Sequence, residues 1–172
     1  MPSHIVKLAR NRDGIAAVEF GLIAPIFVWL LGLLIDFAVA FNMQLQLASS
    51  VHAAAQVAFA QGQWVTRTTA SSLITAVSTV ATTAAGATPV TVQVLVNNAA
   101  DGSNADNYYC VSGGKAPVWS STGTSSVICS GALYSGKFVS ISVSASRRYI
   151  FLPSAIASKI ATLSDSAMVR VR

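Results

Sequence analysis

Apolar residues run almost unbroken from Ile15 to Phe41, and beyond them the pattern changes without an intervening breaker. Leu47, Val51, Ala54, Ala55 and Ala58 then recur at helical spacing, with Gln44, Ser49, Ser50, His52, Gln56 and Gln61 on other faces. The first stretch predicts a helix apolar all round, the second its amphipathic continuation. Gly62 is the expected stop. From Ile15 to Gly62 such a helix runs about 48 residues, or about 72 Å. Leu73, Val77, Val80, Ala81 and Ala84 repeat the helical period before Gly86 and predict a second helix whose other faces are Ser and Thr.

After Gly86 the period becomes two. Val90, Val92, Val94 and Val96 alternate with Thr91, Gln93 and Leu95, a half-buried strand begun by Pro89 and ended by Asn97-Asn98. Val139, Ile141, Val143 and Ala145 interleave with four serines, predicting a strand that runs on to Ile150. Pro153 and Ser154 open a short helix, Ala155 to Ile160, and Met168 to Arg172 reads as an edge strand with Val169 and Val171 inward. Between the strands, Ala99 to Gly136 is a long loop rich in Gly, Ser, Asn and Asp. Helices first and strands after give an α+β fold, with the helices covering one face of a small, mainly antiparallel sheet.

The apolar run from Ile15 to Phe41 is long enough to cross a bilayer, and longer than the core of a cleavable secretory signal. Lys7, Arg10 and Arg12 precede it, and no Lys or Arg follows until Arg67. The positive-inside rule therefore predicts a cytosolic N terminus, with residues 42–172 extracytoplasmic. Glu19 stands inside the run, where an ionised carboxylate costs roughly 2.5 to 3.5 kcal/mol at the bilayer centre and calls for a partner. Either Glu19 snorkels at the cytosolic interface of an ordinary signal anchor, or it meets an amine. Cleavage after Gly14 would create that amine on Ile15, one helical turn from Glu19 or on a neighbouring helix. Asp36, about 25 Å further along, is expected at the outer surface, solvated and without further role. Pro25 removes one helical hydrogen bond and predicts a kink or loosened turn, with Gly21 and Gly32 as further weak points.

Composition narrows the function classes. The 172 residues are 53% hydrophobic and 10% charged, and removal of residues 1–14 would lower the formal charge from +5 to +3. The other bases are scattered, with no aromatic-interleaved stripe to track phosphates, which argues against nucleic-acid binding. Cys110 and Cys129 enclose 18 residues. In an extracytoplasmic compartment they suit one disulfide worth on the order of 3 kcal/mol, two free thiols being the alternative. Tyr108, Tyr109 and Trp119 near the staple read as its packing or as a contact surface. No spacing suits zinc, and His52 has no ligand partners near it in sequence. No nucleophile elbow or phosphate loop appears, Gly113-Gly114-Lys115 lacking the flanking pattern, so neither an enzyme, a cofactor nor a small-molecule substrate is expected.

A basic leader, then Gly14-Ile15-Ala16-Ala17-Val18-Glu19-Phe20 and an apolar helix, resembles the class III signal of type IV prepilins. More narrowly, residues 14–25, Gly-Ile-Ala-Ala-Val-Glu-Phe-Gly-Leu-Ile-Ala-Pro, are similar to the opening of the TadE and TadG-like minor pilins (pseudopilins) of the tight adherence (Tad/Flp) system. Pro153 to Arg172, with Thr162-Leu163-Ser164-Asp165-Ser166-Ala167 and Val169-Arg170, resembles their closing segment. The middle, residues 64–136, carries no such likeness.

The resemblance implies a pilin-like fold in three parts: a leader at 1–14, a transmembrane helix at 15–41 and an extracytoplasmic domain at 42–172. In that domain 42–86 is helical, and 87–172 holds strands and the disulfide loop. It implies processing between Gly14 and Ile15 by a prepilin peptidase and assembly through Glu19 and Phe20, with Pro25 easing the helix between membrane and fibre. The partners implied are other pilins, pilus assembly proteins and the inner membrane, and the role is non-catalytic, in pilus assembly and surface adherence. A single-pass extracytoplasmic binding or sensing domain that never leaves the bilayer is the alternative.

Overall fold

The computed structural model describes residues 13–113, 117–130 and 134–172. The first twelve residues of the expected leader, and Gly114-Lys115, lie outside the described residues. Helix α1 spans Asp13–Gly62 and α2 spans Ala70–Ala84. Strands follow at β1 Thr91–Val96, β2 Tyr109–Ser112, β3 Val118–Ser121 and β4 Phe138–Ser146. Then come the single-turn helix α3, Ser154–Ala157, a 3-10 turn at Ser158–Ile160, and β5, Thr162–Arg170. The α+β class holds: β1, β4 and β5 form an antiparallel sheet in the order β1-β4-β5, with α1 packed on β4 and β5 and α2 on β1.

Alternation in β4 decides the layering. Val139, Ile141, Val143 and Ala145 are buried against the helices, and the serines between them face the other way, across from Ser164, Ser166 and Thr162 of β5. Leu47, Val51, Ala54 and Ala58 of α1 and Ala70, Leu73, Val77 and Ala81 of α2 close the core. Small alanines on both helices let their backbones approach closely. In α2 the buried phase excludes Ala84, which is exposed, and Val80 is only half-buried.

One seam runs along α1 well past the amphipathic half. Gly32, Asp36, Leu47, Val51, Ala54, Ala58 and Gly62 are buried, with Ala40 and Met43 half-buried between them, at steps of three or four residues. Gly62 is more than a stop, because a Cβ there would lie 2.6 Å from Val171 Cγ1. The seam reaches Gly32, so the outer end of the 15–41 segment touches the domain on one face.

Three boundaries differ from expectation. β4 ends at Ser146 rather than Ile150, because Arg147 onward leaves the sheet for contacts on α1. β5 begins at Thr162, not Met168: its alternation of half-buried and exposed residues includes Ser and Asp, which masks the period in sequence. The 99–136 loop contains the β2–β3 ribbon, whose strands are too short and too polar to show periodicity. Asn97 and Asn98, read as a strand end, both take positive φ, 49° and 64°, and make a tight two-residue turn closed by Val96 and Ala99. The Asn97 side chain is fully buried; it donates to the carbonyls of Asn104 and Asn107 and accepts from the N–H of Phe138, so the loop is tied to β4.

Candidate functional site

Two parts of α1 carry unexplained charge. Near its start, the Gly14–Ile15 bond lies within α1, whose described residues open at Asp13. Glu19 is exposed, and among the described residues no cation lies within ion-pairing distance of it. Around it Val18, Phe20, Leu22, Ile23, Ile26, Phe27, Val28, Trp29, Leu30 and Leu31 all present large apolar surfaces outward. Such a continuous apolar patch marks a membrane or protein interface. The helix passes through Pro25 without interruption, and the missing N–H leaves the Gly21 carbonyl without its usual partner.

The second charge overturns an expectation. Asp36 is 2% exposed, not solvated. The chain between β4 and β5, residues 147–161, does not turn back directly but makes a compact loop whose neck is closed by Arg147 N–H donating to the Ala161 carbonyl at 2.7 Å. Its tip folds onto α1. The backbone N–H groups of Ile150, Phe151 and Leu152 donate to Asp36 Oδ2 at 3.1, 2.8 and 3.2 Å, and Ile150 also reaches Oδ1 at 3.3 Å. Three consecutive amides round one carboxylate form an anion nest, and bonds to an ionised acceptor are about twice as strong as neutral ones.

Arg147 completes the arrangement. Its Nη2 stands 3.7 Å from Asp36 Oδ1, an ion pair rather than a hydrogen bond, while Nε and Nη1 are buried without partners among the described residues. The guanidinium lies over the Tyr149 ring, centroid 5.3 Å away, and the Tyr149 hydroxyl donates to the Ile160 carbonyl at 3.0 Å. One turn nearer the N terminus, Gly32 leaves the space that the Phe151 ring fills: a Cβ there would collide with the ring carbons. Gly32 and Asp36 thus form a notch and a latch for the 147–152 loop. Their meeting, across more than a hundred residues, leaves no periodic signal; the one sequence clue is an acid four residues after a glycine inside an apolar helix.

The disulfide joins Cys110 of β2 to Cys129, with Cα atoms 5.5 Å apart. Trp119 stands edge-on between Tyr109 and Phe138, each centroid 5.9 Å away, so the aromatics near the staple pack against one another. His52 is exposed. Among the described residues no group of three His, Cys, Asp or Glu side chains could hold a metal.

A family model described as TadE-like protein matches residues 14–56, the part of α1 that carries Gly14, Glu19, Pro25, Gly32 and Asp36. Residues 14–56 are TadE-like. The match agrees with the resemblance carried by residues 14–25 and points to a membrane protein associated with Tad pili. It covers about a quarter of the chain, and its last part takes in Leu47, Val51 and Ala54, where α1 enters the core. No curated protein and no solved structure matches the chain.

Proposed function

We propose that this TadE-like chain is a non-catalytic minor pilin or pseudopilin of a tight adherence type IV pilus. Prepilin peptidase cuts it after Gly14, and the exposed part of α1 then enters a helical bundle while the outer domain serves pilus assembly and surface adherence. The observation that carries this reading is Glu19, an exposed acid among outward-facing apolar side chains within the matched segment. A carboxylate held in that setting is stabilised by a cation, and the amine of a mature Ile15, its own or a neighbour's, is the nearest one that processing would make.

Residues 15–41 then span the inner membrane with the N terminus in the cytosol, and the sheet domain stands outside, where its cysteines meet oxidising conditions. Phe20 and the apolar residues after it supply bundle contacts, and Pro25 with Gly21 gives the helix a weak turn between membrane and fibre. Mass spectrometry of protein isolated from cells with active prepilin peptidase tests the reading: an N terminus at Ile15 is expected, and an intact Met1 overturns it in favour of a tethered binding or sensing domain. Glu19→Gln is expected to leave leader removal intact and impair incorporation into pili. Normal piliation by that variant removes the role given to the acid.

A further inference from the structure

Ile150 is 80% exposed and Ile156 54% exposed, yet both belong to the loop that is latched to α1. The height of Ile150 along the helix is fixed by contacts already described, and Ile156 follows six residues later on the same latched loop. The Ile150 amide is bonded to Asp36, and the Phe151 ring lies on Gly32, one turn, about 5.4 Å, nearer the cytosolic end. A bilayer core about 30 Å thick takes about 20 helical residues, so a span entered near Glu19 leaves the hydrocarbon near Asp36 to Val39. Phe151 and Ile150 therefore sit at the outer boundary of the membrane, and Phe151 lies on its hydrocarbon side. On α1 at this level Leu31, Leu34, Ile35 and Phe37 are also exposed, so the loop continues an apolar surface that already faces lipid in this reading.

Charge on the loop fits the same boundary. Arg148 is exposed and helps to line two cavities. One, of about 460 Å³, is shared with Val39, Asn42 and Thr88; the other, of about 380 Å³, with Ser154 and Ser158. An arginine that shares a cavity with Ser154 and Ser158, two residues from the exposed Ile150, has the chemistry to meet a phospholipid phosphate above its acyl chains.

We infer that the 148–156 loop is a second membrane contact, a foot that inserts Ile150, Phe151 and Ile156 into the outer leaflet while Arg148 holds a phospholipid phosphate. The inference rests on the membrane-spanning reading of α1. The foot fixes the rotation and tilt of the domain, since a single helix crossing leaves both free. Interfacial burial of apolar side chains with cationic neighbours is the physics of monotopic anchors, applied here to a loop.

Spin labels on the full chain in vesicles of phosphatidylcholine and phosphatidylglycerol test it. Labels are placed singly at Ile150→Cys and Ile156→Cys, with Leu30→Cys to report the span and Met168→Cys, on the far face of the sheet, to report water. The native cysteines are disulfide-bonded and do not react. Labels at 30, 150 and 156 are expected to collide with oxygen more than with a water-soluble nickel chelate, and the label at 168 the reverse. A label at 30 in lipid with those at 150 and 156 in water overturns the foot and leaves the span standing; a label at 30 in water overturns both. Adding Arg148→Glu to the Ile150→Cys chain is expected to shift that label toward water. An unchanged label depth overturns the phosphate contact.

Discussion

Replacing Asp36 by alanine takes the acceptor from three consecutive backbone N–H groups and removes the carboxylate that Arg147 pairs with. Hydrogen bonds to a charged group contribute about 1.5–3 kcal/mol each and do not add in full, and removing one member of a buried pair costs about 3–5 kcal/mol. The latch should weaken by about 3–5 kcal/mol, which at about 1.4 kcal/mol per factor of ten is a loss of about two to three and a half orders of magnitude in loop protection. Hydrogen exchange in nanodiscs reads this directly at the amides of Ile150, Phe151 and Leu152, with Ile141 and Val143 of β4 as internal references for global stability. Arg147→Met should behave differently. The guanidinium touches Asp36 only at 3.7 Å, and two of its nitrogens are buried unpaired, so its Coulombic gain is largely offset by desolvation. Its loss should cost about 1 kcal/mol or less while the nest survives. Unchanged exchange in Asp36→Ala refutes the latch, and equal effects of the two variants would show that the ion pair, not the amide nest, holds the loop.

Gly32→Ala should displace the Phe151 ring and cost about 1–3 kcal/mol by overpacking, with Phe151→Ala restoring most of the loss in a double-mutant cycle read by the same exchange. Replacing both cysteines by serine should lower stability by about 3 kcal/mol in chemical denaturation, with equal stability of native and variant chains in reducing buffer as the check. Lys137 is buried, donates to the Val65 carbonyl at 2.8 Å, and titrates below its ordinary 10.5, chiefly because burial disfavours the charge, against the pull of Asp106. Between its folded value and 10.5 the unfolded chain binds more protons at this site, so stability rises with pH there. The difference in urea midpoint between native protein and Lys137→Met should therefore move in favour of the native chain as pH climbs toward 10.5; a flat difference counts against burial as the cause.

The division of α1 into free and covered faces bears on assembly. From Val18 to Leu31 the large apolar side chains face outward, while from Gly32 onward one stripe is taken by the chain's own domain. In the proposed pilin role, neighbouring helices would have the whole circumference of the first part and only the remaining faces of the second. The latch at Asp36 sets where that change occurs.

Local repetition determined much of this protein by sequence alone. The apolar run and its amphipathic continuation gave α1 and its end at Gly62, and the period-two valines and serines gave β1 and β4. The cysteine pair marked the disulfide. These features were legible because each is written in residues a few positions apart, where helix and strand periods impose a repeat. Only the tertiary structure decided the role of Asp36. A carboxylate near a membrane exit reads as solvated until amides more than a hundred residues away surround it, and no local rule encodes that encounter. Gly32 and Gly62 read as weak points or stops, yet each is a space filled by one side chain from the far end of the chain, Phe151 and Val171. Hydrophobic period specifies which face of an element is buried; which partner buries it depends on how the whole chain closes, and that is settled by packing.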